Sequence, residues 1–328
     1  MAAETMKAIW VEQPGGPEVM EYRDVERPSP GPGEVLVKIE AAGINYSNIG
    51  HRKGSYTRAP FPTILGSEGA GRVVGKGDGV TRLADGDRVA FRGSTTGSYA
   101  EYAVVPDKMI YKVPDGVSPE VAAALQVQGM TAYVLVNNIA PVGAGQSCLI
   151  HAGAGGVGHM VIQIAKNKGV RVLTTVGSKE KGELAKSFGA DEVIYYRDED
   201  FAERVLALTD GAGVNAVYDG VGAATMHGSI ASAGFQGKVV IFGSPSDGEL
   251  RPDIRLTTNK AVSVTFGRLS QFVNTPEDVA RVSDALVAMV ADGSLNLHIA
   301  DPRPLAEAAE VHRTVEERES MGKQILVP

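Results

Sequence analysis

Leu149-Ile150-His151-Ala152-Gly153-Ala154-Gly155-Gly156-Val157-Gly158 is the stretch on which the reading of this chain turns. Gly153, Gly155 and Gly158 fit G-x-G-x-x-G, the strand-to-helix turn whose backbone amides approach a pyrophosphate because no side chain stands in the way. With 40 glycines among 328 residues the pattern alone would be weak. Its surroundings make it specific. Cys148-Leu149-Ile150 is a short apolar strand, and beyond Val157 the residues Met160, Val161, Ile164 and Ala165 recur at helical spacing until Gly169. Strand, glycine turn and helix in that order predict a dinucleotide-binding unit.

Around this unit, short β-branched runs alternate with helical segments from Ser118, a helix cap before Pro119, to about Thr265. Strands are expected at 147–151, 171–175, 192–196, 215–219, 238–242 and 262–266, with helices beginning near Gly156, Lys179, Asp200 and Ala223. That alternation means parallel β-α-β units and a doubly wound sheet. The first 120 residues or so read differently, as strands divided by turns: Lys7 to Val11, a loop broken by Pro28, Pro30 and Pro32, then Val35, Val37 and Ile39 alternating with Leu36, Lys38 and Glu40. This is the pattern of a compact, irregular β-barrel. The tail adds a long helix from Thr275 to Asp292, the segment Pro304 to Arg318, and a closing strand from Lys323 to Val327.

The composition, 43% hydrophobic and 22% charged, suits a globular enzyme of about two domains. The net charge of −7 argues against nucleic acid or an anionic membrane as partner. No apolar run approaches the ~20 residues of a membrane helix, Met1 to Thr5 lacks the features of a signal peptide, and a cytoplasmic setting is expected. The single cysteine, Cys148, excludes an intrachain disulfide and reads as a packing residue.

Two absences narrow the chemistry. About 20 residues past the glycines, where an acid would meet a free ribose 2′-OH, the chain runs Val176-Gly177-Ser178-Lys179-Glu180-Lys181. A hydroxyl and ammonium groups suit a 2′-phosphate, so NADPH is expected over NADH. The six histidines have no ligand spacing, and one cysteine cannot build a multi-cysteine zinc centre. His51 reads as a surface or loop residue and His151 as structural. Without a Lewis acid, the accessible reaction is hydride donation to an electron-poor acceptor, a quinone or a conjugated enone.

These residues resemble the zinc-free quinone oxidoreductase (zeta-crystallin-like) branch of the medium-chain dehydrogenase/reductase superfamily. The resemblance rests on Gly15-Gly16-Pro17-Glu18-Val19, Gly31-Pro32-Gly33-Glu34-Val35, Ala41-Ala42-Gly43-Ile44-Asn45, Val127-Gln128-Gly129-Met130-Thr131-Ala132-Tyr133, the glycine turn, and Tyr218-Asp219-Gly220-Val221-Gly222. Where zinc relatives carry Gly-His-Glu, this chain has Gly66-Ser67-Glu68. It implies a GroES-like barrel over 1–123 and 268–328, a Rossmann domain over 124–267, an active site in the cleft between them, and a homodimer joined through the Rossmann sheets.

Carried over by position, Asn45 would lie near the nicotinamide ribose and the substrate. Thr131 with the turn Gly153, Gly155, Gly156, Val157 and Gly158 would hold the pyrophosphate. Ser178, Lys181 and Tyr196 would form the 2′-phosphate pocket, and Phe242, Gly243 and Lys323 the nicotinamide-side wall and clamp. Tyr56 matches a tyrosine of the quinone pocket, and Tyr46 and Tyr56 are the candidate proton donors. The chain departs from the family where Asp, Thr and Tyr usually follow the asparagine: here stand Asn48, Ile49 and Gly50. The alternatives are a reductase of C=C bonds of the enoyl or haloacrylate type and, from another class, a non-catalytic NADPH-binding sensor or structural protein.

Overall fold

The computed structural model describes residues 4–55, 60–245 and 248–328. The chain divides into two units. Met1–Gln128, Val273–Val287 and His298–Pro328 form one, and Gly129–Phe272 with Ala288–Leu297 the other. The sequence reading assigns 268–328 wholly to the first domain, whereas residues 288–297 belong to the second unit.

In the first unit, β1 (Thr5–Val11), β2 (Met20–Glu26), β3 (Glu34–Gly43), β4 (Thr63–Ile64), β5 (Glu68–Lys76), β6 (Arg88–Arg92), β7 (Tyr102–Pro106) and β8 (Ile110–Lys112) pair antiparallel in two sheets. The expected alternation in β3 holds for Val35, Val37 and Ile39, buried against exposed Lys38, but Leu36, expected on the face of Lys38, is buried as well. The alternation fails at Ala41 and Ala42, both buried, because that end of the strand packs on both faces. Ala41, Ala70 and Ala90 accept Ala122 and Ala123 of helix α2 (Pro119–Ala124) at close range. Ser118 caps that helix, its hydroxyl accepting the Val121 N–H.

The expected elements include no helix between β3 and β4. α1 (Tyr46–Arg52) is a single short helix without apolar periodicity. His51 lies on it, 5% exposed and beside the Phe61 ring, not on a surface loop as expected.

The second unit holds six parallel strands: β9 (Ser147–His151), β10 (Arg171–Val176), β11 (Glu192–Tyr195), β12 (Val214–Asp219), β13 (Ala233–Ile241) and β14 (Ser263–Phe266). Their order, β11-β10-β9-β12-β13-β14, is the doubly wound arrangement, with its switch point between β9 and β12. Leu149, Leu173, Ile194, Val217 and Val239 give the sheet an apolar core. Helices α3 (Met130–Val134), α4 (Gly158–Lys166), α5 (Lys179–Ser187), α6 (Phe201–Leu208), α7 (Met226–Ser232) and α8 (Arg255–Thr258) belong to this unit. Among the described residues no helix is long and apolar enough to cross a membrane.

The tail brings α9 (Pro276–Ala291), β15 (Arg303–Pro304), α10 (Ala308–Glu316) and β16 (Ile325–Val327), the last pairing with β3. A buried polar chain pins α10 to α1. Arg52, 0% exposed, approaches His312 Nδ1 at 3.0 Å and Glu316 Oε2 at 2.6 Å, and Tyr99 Oη lies 3.1 Å from His312 Nε2. Burial and the Arg52 charge push His312 down to about 3.

Between that value and the ordinary ~6.5 the folded protein binds fewer protons than the unfolded chain, so stability is full above about pH 6.5 and is lost as pH falls toward 3. From about pH 7.5 to about pH 5 this one group should cost about 2 kcal/mol. The His312→Gln amide keeps an acceptor and a donor but does not titrate. Urea unfolding at both pH values should show a shallower loss in that variant; equal losses would refute the assignment.

Candidate active site

β9 delivers the chain at His151 into a turn where Ala152 adopts φ 57°, the left-handed region that side-chain-bearing residues seldom occupy. The Gly155 N–H donates to the Ala152 carbonyl at 2.9 Å, and helical bonding begins when His159 N–H reaches the Gly155 carbonyl at 3.1 Å. α4 therefore starts at Gly158, later than the expected Gly156. A Cβ on Gly158 would stand 2.2 Å from the Ala152 oxygen, and one on Gly153 would stand 2.2 Å from Thr174 Oγ1. Only glycine fits either position, because the turn's own backbone and buried Thr174 fill the space a side chain would need. Among the described residues the N–H groups of Gly156, Val157 and Gly158 meet no backbone carbonyl, which suits them to an anion.

The tips of β10 and β11 meet nearby. Ser178 caps α5, its Oγ accepting the Lys181 N–H at 3.3 Å. Tyr196 lies over Gly177 so closely that a Cβ there would come within 2.7 Å of the phenol oxygen. Ser178 is exposed, Lys181 half-buried and Tyr196 38% exposed, so polar atoms are gathered about an open strand end. Glu180 is exposed.

At the tip of β12, buried Asp219 accepts from Val221 N (2.8 Å), Gly222 N (2.9 Å), Thr225 Oγ1 (2.8 Å) and Ser229 Oγ (2.6 Å). These bonds hold residues 219–225 as a turn, so α7 begins at Met226, later than the expected Ala223. Ser229 gives its proton to Asp219 and so accepts from His151 Nε2 (3.0 Å), while His151 Nδ1 accepts from Thr175 Oγ1 (2.9 Å). His151 is neutral and structural, its pKa pushed down by burial. Phe242 donates its N–H to the Asp219 carbonyl at 2.9 Å and lays its ring on Gly220, with Gly243 next in the chain. Thr131 is half-buried on α3. Cys148 is buried and its thiol is pushed up to about 12, so it takes no part as a nucleophile.

The first unit holds a polar cluster of its own. Asn45 precedes α1, but its side chain does not cap the helix. Its Nδ2 donates to Glu68 Oε1 at 2.6 Å, and its Oδ1 accepts from Lys323 Nζ at 3.2 Å. Lys323 and Glu68 are both 0% exposed and form an ion pair. The ammonium also donates to the Ile44 carbonyl at 2.9 Å, and Glu68 Oε2 accepts the Val127 N–H at 2.6 Å. Burial pushes the Lys323 ammonium down against the pull of Glu68. All three Lys323 donors are thereby engaged on Ile44, Asn45 and Glu68. Gln128 Nε2 donates to the same Ile44 carbonyl at 3.3 Å and leaves its Oε1, among the described residues, without a partner.

Tyr46 opens α1 and is 37% exposed. Tyr56 lies outside the described residues. Glu68, which sequence reasoning used only as a motif letter, organises the cluster. The available signal was a lone carboxylate inside the apolar and glycine-rich run Leu65 to Val74. Among the described residues no three His, Cys, Asp or Glu side chains gather as a metal site.

Residues 31–115 match the family model described as alcohol dehydrogenase GroES-like domain, and residues 156–288 match that described as zinc-binding dehydrogenase. A quinone oxidoreductase of Pseudomonas aeruginosa is 38% identical over 96% of this chain and 97% of its own length. A 2-haloacrylate reductase of a Burkholderia species is 31% identical over 98% of each. The crystal structure of Escherichia coli quinone oxidoreductase complexed with NADPH superposes with a TM-score of 0.95 at 32% identity, over 98% of this chain and 100% of that one. With a glycine turn at the switch point, a barrel unit beside it in sequence, and relatives matched along nearly its whole length, the chain belongs to the zinc-free quinone oxidoreductase branch of the medium-chain dehydrogenase/reductase superfamily.

Proposed function

We propose that this protein reduces a quinone or an α,β-unsaturated carbonyl with NADPH, without zinc. The observation that carries the reading is the rim of the parallel sheet. A turn that admits no side chain at Gly153 or Gly158 lies at the tip of β9, and a hydroxyl and an ammonium, with no acid at the strand end, lie beyond β10. Gly153, Gly155, Gly156, Val157, Gly158 and Thr131 would hold the pyrophosphate, Ser178, Lys181 and Tyr196 the 2′-phosphate, and Phe242 and Gly243 the nicotinamide side. Bound there, the cofactor supplies a hydride.

Asn45 would position ribose and acceptor with what its two bonds leave over, one N–H and one lone pair. Lys323 acts through Asn45 in this reading, since its donors are engaged. Tyr46, exposed at the start of α1, is the described candidate for delivering a proton, with water as its rival. The likeness to a 2-haloacrylate reductase favours C=C reduction as the second reading. Small-molecule partners and one inert buried thiol suit a cytoplasmic protein.

Purified protein should oxidise NADPH faster than NADH in the presence of 1,4-naphthoquinone or 2-cyclohexen-1-one. Analysis of the products separates quinone from alkene reduction. Lys181→Ala and Ser178→Ala should each raise the KM for NADPH about tenfold and leave that for NADH nearly unchanged. No oxidation with any quinone or enone, or equal use of both nucleotides, would refute the proposal.

We also propose a homodimer joined at β14. This strand pairs only with β13 among the described residues and carries Phe266, 42% exposed, while Leu256 (40%) and Ile254 (72%) are exposed on the segment that precedes it in the chain. Sedimentation should show a dimer, and the double variant Ile254→Asp, Phe266→Asp should sediment as a monomer. A monomeric wild type would end this reading.

A further inference from the structure

Hydrogen-bond polarity can be traced from Arg52 inward with no free choice. A guanidinium has only donors, so His312 Nδ1, 3.0 Å from Arg52 Nη1, must accept. The proton of the neutral ring is then on Nε2 and is donated to Tyr99 Oη at 3.1 Å. Tyr99 turns its own proton to Asn48 Oδ1 at 3.3 Å. The Asn45 backbone N–H, 2.8 Å from the same atom, fixes that atom independently as the amide oxygen. Asn48 Nδ2 must therefore be the donor to Ser67 Oγ at 3.3 Å. Ser67 accepts, and among the described residues nothing receives its proton.

Arg52, Tyr99 and His312 are fully buried and Asn48 is 2% exposed, so bulk water does not reach the members that set the order, and Ser67 is the end of the array. The array ends beside the Asn45 cluster from two directions. Asn48 grips the Asn45 backbone, and Glu68, next to Ser67 in the chain, grips the Asn45 amide. We propose that Ser67 is a preset hydrogen-bond donor to the carbonyl oxygen of the acceptor, and that Asn48, Tyr99, His312 and Arg52 are positioning residues that hold its proton outward. This deepens the reading given above and rests on it.

The role is electrostatic. Ser67 donates a hydrogen bond to oxygen as negative charge develops there and surrenders no proton, so no further co-reactant is needed. Asn48 is the decisive member. An aspartate at this position, usual in the resembling family, would still accept from Asn45 and Tyr99 but would offer Ser67 no donor. The hydroxyl would then turn its proton inward to the carboxylate.

Two variants and two readouts test this. Ser67→Ala should lower kcat/KM for 1,4-naphthoquinone by about 10- to 100-fold. Asn48→Asp should produce a loss of similar size although it leaves the serine in place. NADPH affinity, followed by its fluorescence, should stay within about twofold in both. Independently of turnover, the infrared carbonyl band of 1,4-naphthoquinone bound to the cofactor-free protein should lie at lower wavenumber in the wild type than in either variant. A wild type that turns over with Ser67→Ala equal to it in kcat/KM, or an unmoved carbonyl band, overturns the inference and leaves the NADPH–quinone reading standing. A wild type that reduces neither quinone nor enone overturns that reading and the inference with it.

Discussion

A lysine ammonium and a glutamate carboxylate withdrawn together from water gain little by meeting and lose heavily if one is removed, of order 3–5 kcal/mol. The Glu68–Lys323 pair, 255 residues apart in sequence, is such a contact, and the first unit is arranged around satisfying it. The Ile44 carbonyl, the Asn45 amide and the Val127 N–H take up the bonding capacity the ions leave to one another. The consequence is orientation. With Oδ1 on the ammonium and Nδ2 on the carboxylate, the Asn45 amide cannot flip, and its remaining N–H and lone pair keep fixed directions. Preorganised dipoles of this kind cost no reorientation when charge develops.

In the second unit the governing constraint is directional. Parallel strands send all their carboxyl ends to one rim, so the segments after β9, β10, β12 and β13 are gathered there whatever their distance in sequence. At that rim the chain builds its turn on glycines, sets Ser178 and Lys181 at the start of α5, and ties down residues 219–225 through Asp219. The neutral His151 below them belongs to the same economy of hydrogen bonds. Every polar atom it offers is met, so it supports the turn and has no proton to trade.

Periodicity and turn chemistry mark the six parallel strands, because each contains a short apolar or β-branched run bounded by glycine or polar residues. They were poorer at the ends. β13 begins at Ala233, well before the expected 238, because its pairing partner extends it through an irregular stretch of the β12 ladder. α4 and α7 begin late because their first residues are spent on turns that bind the backbone differently. α1 escaped notice since no apolar stripe marks a two-turn helix, and with it the burial of His51 and Arg52.

Read alone, the chain discloses the order of strand, glycine turn and helix, a β10 tip without an acid, and too few cysteines for a cysteine-built metal centre, all of which are local or compositional. Where charge and polarity are buried emerges only on folding: Lys323 meets Glu68 and Asn45, and Arg52 on α1 with His312 on α10 sets the direction of a hydrogen-bond array ending at Ser67. Local spacing cannot disclose such pairings. The cost of burying a polar atom is settled by whatever partner the folded chain brings to it, and here the partners come from the opposite end of the sequence.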